Sequence, residues 1–170
     1  MKDLFTSLEY GLLCVGCTLP ITAQINDSIP KRVLFTQAVE GSSPTIDGIP
    51  DDACWQQVEW SGGYEQFEPY NLEAPSQDTK LKVLYDARNL YVAFRCFDTE
   101  PDKIERRMSR RDGFPGDLVE INIDSYHDLR TAFSFTISAS GVKGDEFVSN
   151  DGNNWDSNWN PIWYAKTNID

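Results

Sequence analysis

Histidine occurs once, at His127, and methionine only twice in the 170 residues. A single histidine excludes the multi-histidine centres of catalytic zinc enzymes. There is no Ser–His–Asp signature, no metalloprotease motif and no phosphate-cradling glycine loop. Glycoside hydrolysis needs two carboxyls flanking one bond, and the sequence singles out no such pair, so it does not read as an enzyme. Basic residues are also scarce: 15 Lys and Arg stand against 27 Asp and Glu, a net charge of −12. That excess disfavours nucleic acid and anionic membrane surfaces, which are themselves polyanions. No apolar run approaches the roughly 20 residues that a membrane span requires. Internal repeats and low-complexity segments are absent as well.

What remains is a chain with 40% hydrophobic and 12% aromatic residues, too apolar for disorder and sized for one domain. Its first residues differ from the rest. "MKDLFTSLEYGLLCVGCTLPITAQ" carries a lysine near the start, a short apolar stretch at Leu12–Leu19 and a small-residue exit at Ala23. This pattern predicts a signal peptide over residues 1–23, followed by a polar lead-in over 24–32. Lipoprotein processing at Cys17 and a mis-set start are the competing readings. Export would place the protein in the periplasm or at the outer membrane and cell surface. In an oxidising compartment Cys54 and Cys96 either pair as a disulfide or remain two buried thiols.

From Val33 on, short alternating segments dominate. "TKLKVLYDARNLYVAFRCFD" reads as a hairpin turning at Asp86–Asn89. "DLVEINID" alternates Leu118, Glu120, Asn122 and Asp124 against Val119, Ile121 and Ile123. "TAFSFTIS" sets Phe133, Phe135 and Ile137 on one face, and Ser140–Gly141 turns into "VKGDEFVS". Residues 33–40 and 162–169 read as further strands, and Asp102–Asp112 as the one helix-like piece. The sum is an all-β, antiparallel β-sandwich. A final strand that starts just before Asp170 has no partner in the sequence, so the expected domain, 33–170, lacks its last strands.

The stretch "PTIDGIPDDACW" has turn chemistry in Asp47–Gly48 and Asp51–Asp52, with Trp55 delivered to the core. Together with "TKLKVLYDARNLYVAFRCFD", "DLVEINID" and "FSFTISASGVKGDE", in that order, it resembles the family 9 carbohydrate-binding module. "DKIERRMSRRDG" and "WDSNWNPIWYAKT" resemble the version at the N-terminus of long exported proteins of Gram-negative bacteria. The resemblance implies a DOMON-like sandwich, related in layout to immunoglobulin-like sandwiches, and non-catalytic binding of a polysaccharide, an oligosaccharide or chain ends. It also implies a downstream domain of the same protein as partner, a link to carbohydrate catabolism, and at most a structural calcium as cofactor.

Sugar rings take flat aromatic rings on their apolar face and planar polar groups on their hydroxyl rim. The tail offers both. Trp155 and Trp159 are the expected stacking rings, with Asn158, Arg110 and Arg111 as polar contacts; Trp163 reads as core, and Tyr70 and Trp60 as weaker candidates. For calcium, Asp124 with Asp128 is one candidate set, and Asp145, Glu146 and Asp151 another. The bland alternatives are tryptophans that cover one end of the sandwich and acids that are only solvated. The rival function is a structural or docking module that binds no sugar.

Overall fold

The computed structural model describes residues 32–170. The expected signal peptide, with Cys17 and Ala23, and the lead-in up to residue 31 lie outside the described residues. Among the described residues the strands are β1 (Gln37–Ala38), β2 (Thr79–Tyr85), β3 (Leu90–Cys96), β4 (Leu118–Ile123), β5 (Ala132–Ser138), β6 (Lys143–Ser149) and β7 (Asn154–Asp156). They form two sheets, ordered β1-β2-β3 and β4-β5-β6-β7. All pairings are antiparallel except β1 with β2. Among the described residues helical structure is confined to two 3-10 turns, Ala53–Gln57 and Pro101–Lys103. This is the expected all-β sandwich.

The hairpin forms where alternation and turn chemistry agree. Asp86 Oδ1 accepts the amides of Arg88 and Asn89 at 2.7 and 2.8 Å, and its Oδ2 accepts the Tyr91 hydroxyl at 2.6 Å. The Tyr91 hydroxyl and these amides hold the Asp86 carboxyl well below the usual carboxylate range. One face of the hairpin carries Leu84, Tyr91 and Ala93, and the 3-10 turn lays Cys54, Trp55 and Val58 over it. Lys82 ties that turn down: its ammonium donates to the Trp55 carbonyl at 2.5 Å and lies 4.9 Å from the Trp60 ring centre. The acids of the opening corner serve its shape. Asp47 accepts the Ile49 amide, and Asp52 accepts the Thr45 amide rather than capping the turn. Gly48, at φ +93°, lies so close to the Thr167 backbone that a Cβ would come within 2.8 Å of it.

Four expectations are corrected. Cys54 and Cys96 are free thiols: Cys54 packs against the Leu84 face, whereas Cys96 sits exposed at the end of β3, at an alternate position that turns it to the other face. The Asp102–Asp112 segment is helical only over Pro101–Lys103. Beyond it, Glu105 and Asp117 exchange hydrogen bonds, the Glu105 amide to Asp117 Oδ2 at 2.8 Å and the Asp117 amide to the Glu105 carbonyl at 3.3 Å. Tertiary bonds thus override a weak helical propensity. The first strand shrinks to Gln37–Ala38. Residues 162–169 form no strand and are held through other groups instead: Lys143 Nζ donates to the Trp163 carbonyl, and Thr167 Oγ1 to the Ala139 carbonyl.

Trp55 is 4% exposed at the centre of the first cluster. Trp55→Ala should cost about 3–5 kcal/mol of unfolding free energy, read by chemical denaturation. A change near zero would remove Trp55 from the core.

Candidate functional site

Strand alternation gives the second sheet two unlike faces. Register puts Ile121, Ile123, Phe133, Phe135, Asp145 and Phe147 on one of them. Trp159 covers this face, 4.8 Å from the Phe133 ring centre and edge-on to Phe135, and Trp163 meets Phe135 edge-on at 5.4 Å. An open depression of ≈ 240 Å³ remains between Ile123, Ser125, Phe133, Phe135 and Trp159. Asp145 is 1% exposed here. Its Oδ2 takes both an ion pair from Arg111 and the Trp163 indole N–H at 3.0 Å.

The opposite face is polar. Register sets Glu146, Ser134 and Asn122 in one row and Gly144, Thr136 and Glu120 in the next. Two aromatic side chains border them on β6. Trp155 pairs with Val148 and is 45% exposed. Phe114 lies on Gly144, whose missing Cβ leaves the room that the ring occupies. Glu146 therefore sits along β6 between a phenylalanine and a tryptophan.

The loop that delivers Phe114 is pinned to the part of β6 that β7 does not pair with. The Asp112 amide donates to the Lys143 carbonyl at 3.2 Å, and the Asp145 amide donates to Asp112 Oδ1 at 3.1 Å. Gly116, at φ +105°, lets the chain pass against Glu105.

Polar groups on this face are unevenly satisfied. Glu120 accepts from Thr136 Oγ1 at 3.2 Å and from Asn122 Nδ2 at 2.5 Å. The Ser134 hydroxyl is fully buried and has no hydrogen-bond partner among the described residues. Burial pushes the Glu146 carboxyl up, and the charges of Glu120 and Asp112 push it further. A buried hydroxyl without a partner and a carboxylate crowded by two others both cost stability. Between two aromatic rings they also form a surface that a hydroxyl-rich, flat-faced ligand would satisfy.

The expected sugar contacts are not brought together. Trp155 lies on the polar face, whereas Trp159 lies on the apolar one and Arg111 reaches across to Asp145 on that side. Asn158 is occupied: its amide and side chain both bond Asp156 Oδ1, at 3.0 and 2.8 Å. Arg110 is exposed in the adjoining loop. Tyr70 is exposed, and Trp60 lies under Lys82. The sequence singles out none of Phe114, Glu120, Ser134 and Thr136, and it offers Glu146 only as a calcium candidate. The signal for Glu120, Ser134 and Thr136 lies in the polar positions of "DLVEINID" and "TAFSFTIS".

The calcium candidates also have other work. Asp124 accepts the amides of Asp128 and Leu129, and Asp128 accepts those of Arg130 and Thr131, so both close the β4–β5 loop. Among the described residues no three acidic, histidine or cysteine side chains are grouped to hold a metal ion. Asp145 and Glu146 point to opposite faces, and Asp151 pairs with Arg130.

The profile described as "Carbohydrate family 9 binding domain-like" matches residues 46–161. The chain belongs to this family. The matched span runs from the Asp47 corner through Trp159 and so contains both faces of the second sheet. Family 9-like domains are binding modules rather than catalysts. No curated protein and no solved structure matches the chain.

Glu146 supplies a stability test. Its folded-state carboxyl titrates above its ordinary value, so its ionisation destabilises the fold: the stability is full below the ordinary carboxyl range and falls as pH rises through the raised value. Glu146→Gln should therefore raise the melting temperature at neutral pH, and the gain should vanish at acid pH. A loss of stability at neutral pH would show that the carboxylate is compensated.

Proposed function

We propose that this domain binds a glycan, a polysaccharide or its chain ends, without catalysis, and that the polar face of the second sheet makes the contact. The observation that carries the reading is the arrangement of Phe114 and Trp155 on either side of Glu146, with the unpartnered Ser134 hydroxyl in the adjacent strand. Rings supply stacking, and the carboxylates, amide and hydroxyls supply hydrogen bonds to a sugar rim. Family membership supports carbohydrate as the ligand class. In this reading the domain is exported and works at the periplasm or outer surface, within a longer protein concerned with carbohydrate catabolism.

The competing docking-module reading draws on the apolar face, where Trp159, Phe133 and Phe135 leave an open depression. One comparison separates the two. Calorimetry of the full chain against xylan, cellulose and other glucan fragments should detect binding that Trp155→Ala abolishes and Trp159→Ala leaves within a few-fold. Loss of one stacking ring should cost about 1–3 kcal/mol. Binding lost with Trp159→Ala, in a variant that still melts cooperatively, would move the site to the apolar face. No binding to any glycan would favour docking.

A further inference from the structure

The charges around the polar face restrict which glycan fits it. None of the strand positions that share this face is a lysine or arginine. Its charged groups are Glu120 on β4, Glu146 on β6 and Asp112 from the loop pinned to β6; burial, then the charges of Glu120 and Asp112, push the Glu146 carboxyl up. Glu120 spends its oxygens on Thr136 and Asn122. Glu146 accepts no hydrogen bond and joins no ion pair among the described residues. Of the loop cations, Arg107 pairs with Glu105, Arg111 with Asp145 and Arg130 with Asp151. Arg106 and Arg110, in the loop before Phe114, are exposed.

Such a face is short of a positive donor. A small metal ion is a poor answer, because the acids are not grouped closely enough to ligate one. A cation that hydrogen-bonds at a distance and brings a flat apolar face suits it better. Building on the carbohydrate reading above, we propose that the preferred ligand is a glycan with free amino groups, a glucosamine-type polymer or oligomer, whose ammonium is taken by Glu146 while its ring stacks on Trp155. The Ser134 hydroxyl lies buried and without a partner beneath this row, one strand over from Glu146. Charge-assisted hydrogen bonds of this kind are the strong ones. The same charges would repel uronic acids.

The test is calorimetry of the full chain with four oligosaccharides of equal length: deacetylated glucosamine, its N-acetylated counterpart, a cello-oligosaccharide and an oligogalacturonide. The pH is set so that amine and carboxylates are both charged. The expected result is roughly ten-fold tighter binding of the deacetylated oligomer, the scale of one charge-assisted bond. Glu146→Gln should erase that preference. Trp155→Ala, which leaves every charge in place, should lose binding altogether. Equal or tighter binding of the cello-oligosaccharide or the oligogalacturonide would overturn the amino-sugar inference and leave carbohydrate binding standing. So would a preference that survives Glu146→Gln. Binding that survives Trp155→Ala would assign the attraction to the net charge of −12 and overturn the proposal. Binding of none of the four would overturn both readings.

Discussion

Asp145 is a buried carboxylate, and the shape of the candidate site follows from how its burial is compensated. Arg111 and the Trp163 indole meet its Oδ2 on one face of the sheet, while its backbone amide bonds Asp112 along the strand edge. Those bonds fix residues 111 and 112 on β6. Two residues after Asp112 the loop has turned far enough to set Phe114 on Gly144, on the opposite face. An ion pair on the apolar side therefore positions a ring on the polar side. Removing one partner of a buried pair typically costs about 3–5 kcal/mol. Here it would also release the loop that carries one border of the site.

In the proposed reading the two faces divide the labour between stability and recognition. On the apolar face, aromatic contacts run from Tyr126 through Phe133, Phe147, Phe135 and Trp159 to Trp163. Tilted and edge-on pairs of this kind add to burial. On the polar face, small residues at Ser134, Thr136 and Gly144 keep the sheet low between the two rings. The unpartnered Ser134 hydroxyl and the crowded Glu146 carboxylate cost stability. Among the described residues two buried side-chain atoms lack a partner, Ser134 Oγ on the polar face and Asp145 Oδ1 on the apolar one, and each such group asks for an explanation.

The strands were legible because period-2 alternation is a local property. "DLVEINID", "TAFSFTIS" and the hairpin around Asp86 fold where their patterns place them, with the expected residues sharing faces. Trp55 likewise went to the core, because turn chemistry and a following tryptophan give one consistent signal. The site was not legible, for a geometric reason. Trp155 and Trp159 are neighbours in sequence, yet β7 ends between them at Asp156, and the following turn carries the second ring to the other face. Phe114 and Gly144 are thirty positions apart, and nothing local to either announces the other. Arg111 reads as a surface cation until the fold buries Asp145 beside it.

The central claim is that the ligand sits on the face bearing Trp155, Glu146 and Ser134. The most direct measurement is a two-dimensional 1H–15N NMR titration of the labelled full chain with a glucosamine oligosaccharide. The account predicts that the Trp155 indole N–H and the amides of Ser134, Thr136 and Glu146 shift first and furthest, with the Trp159 indole N–H little changed. Shifts confined to Trp159 and the residues around Phe133 and Phe135 would contradict it.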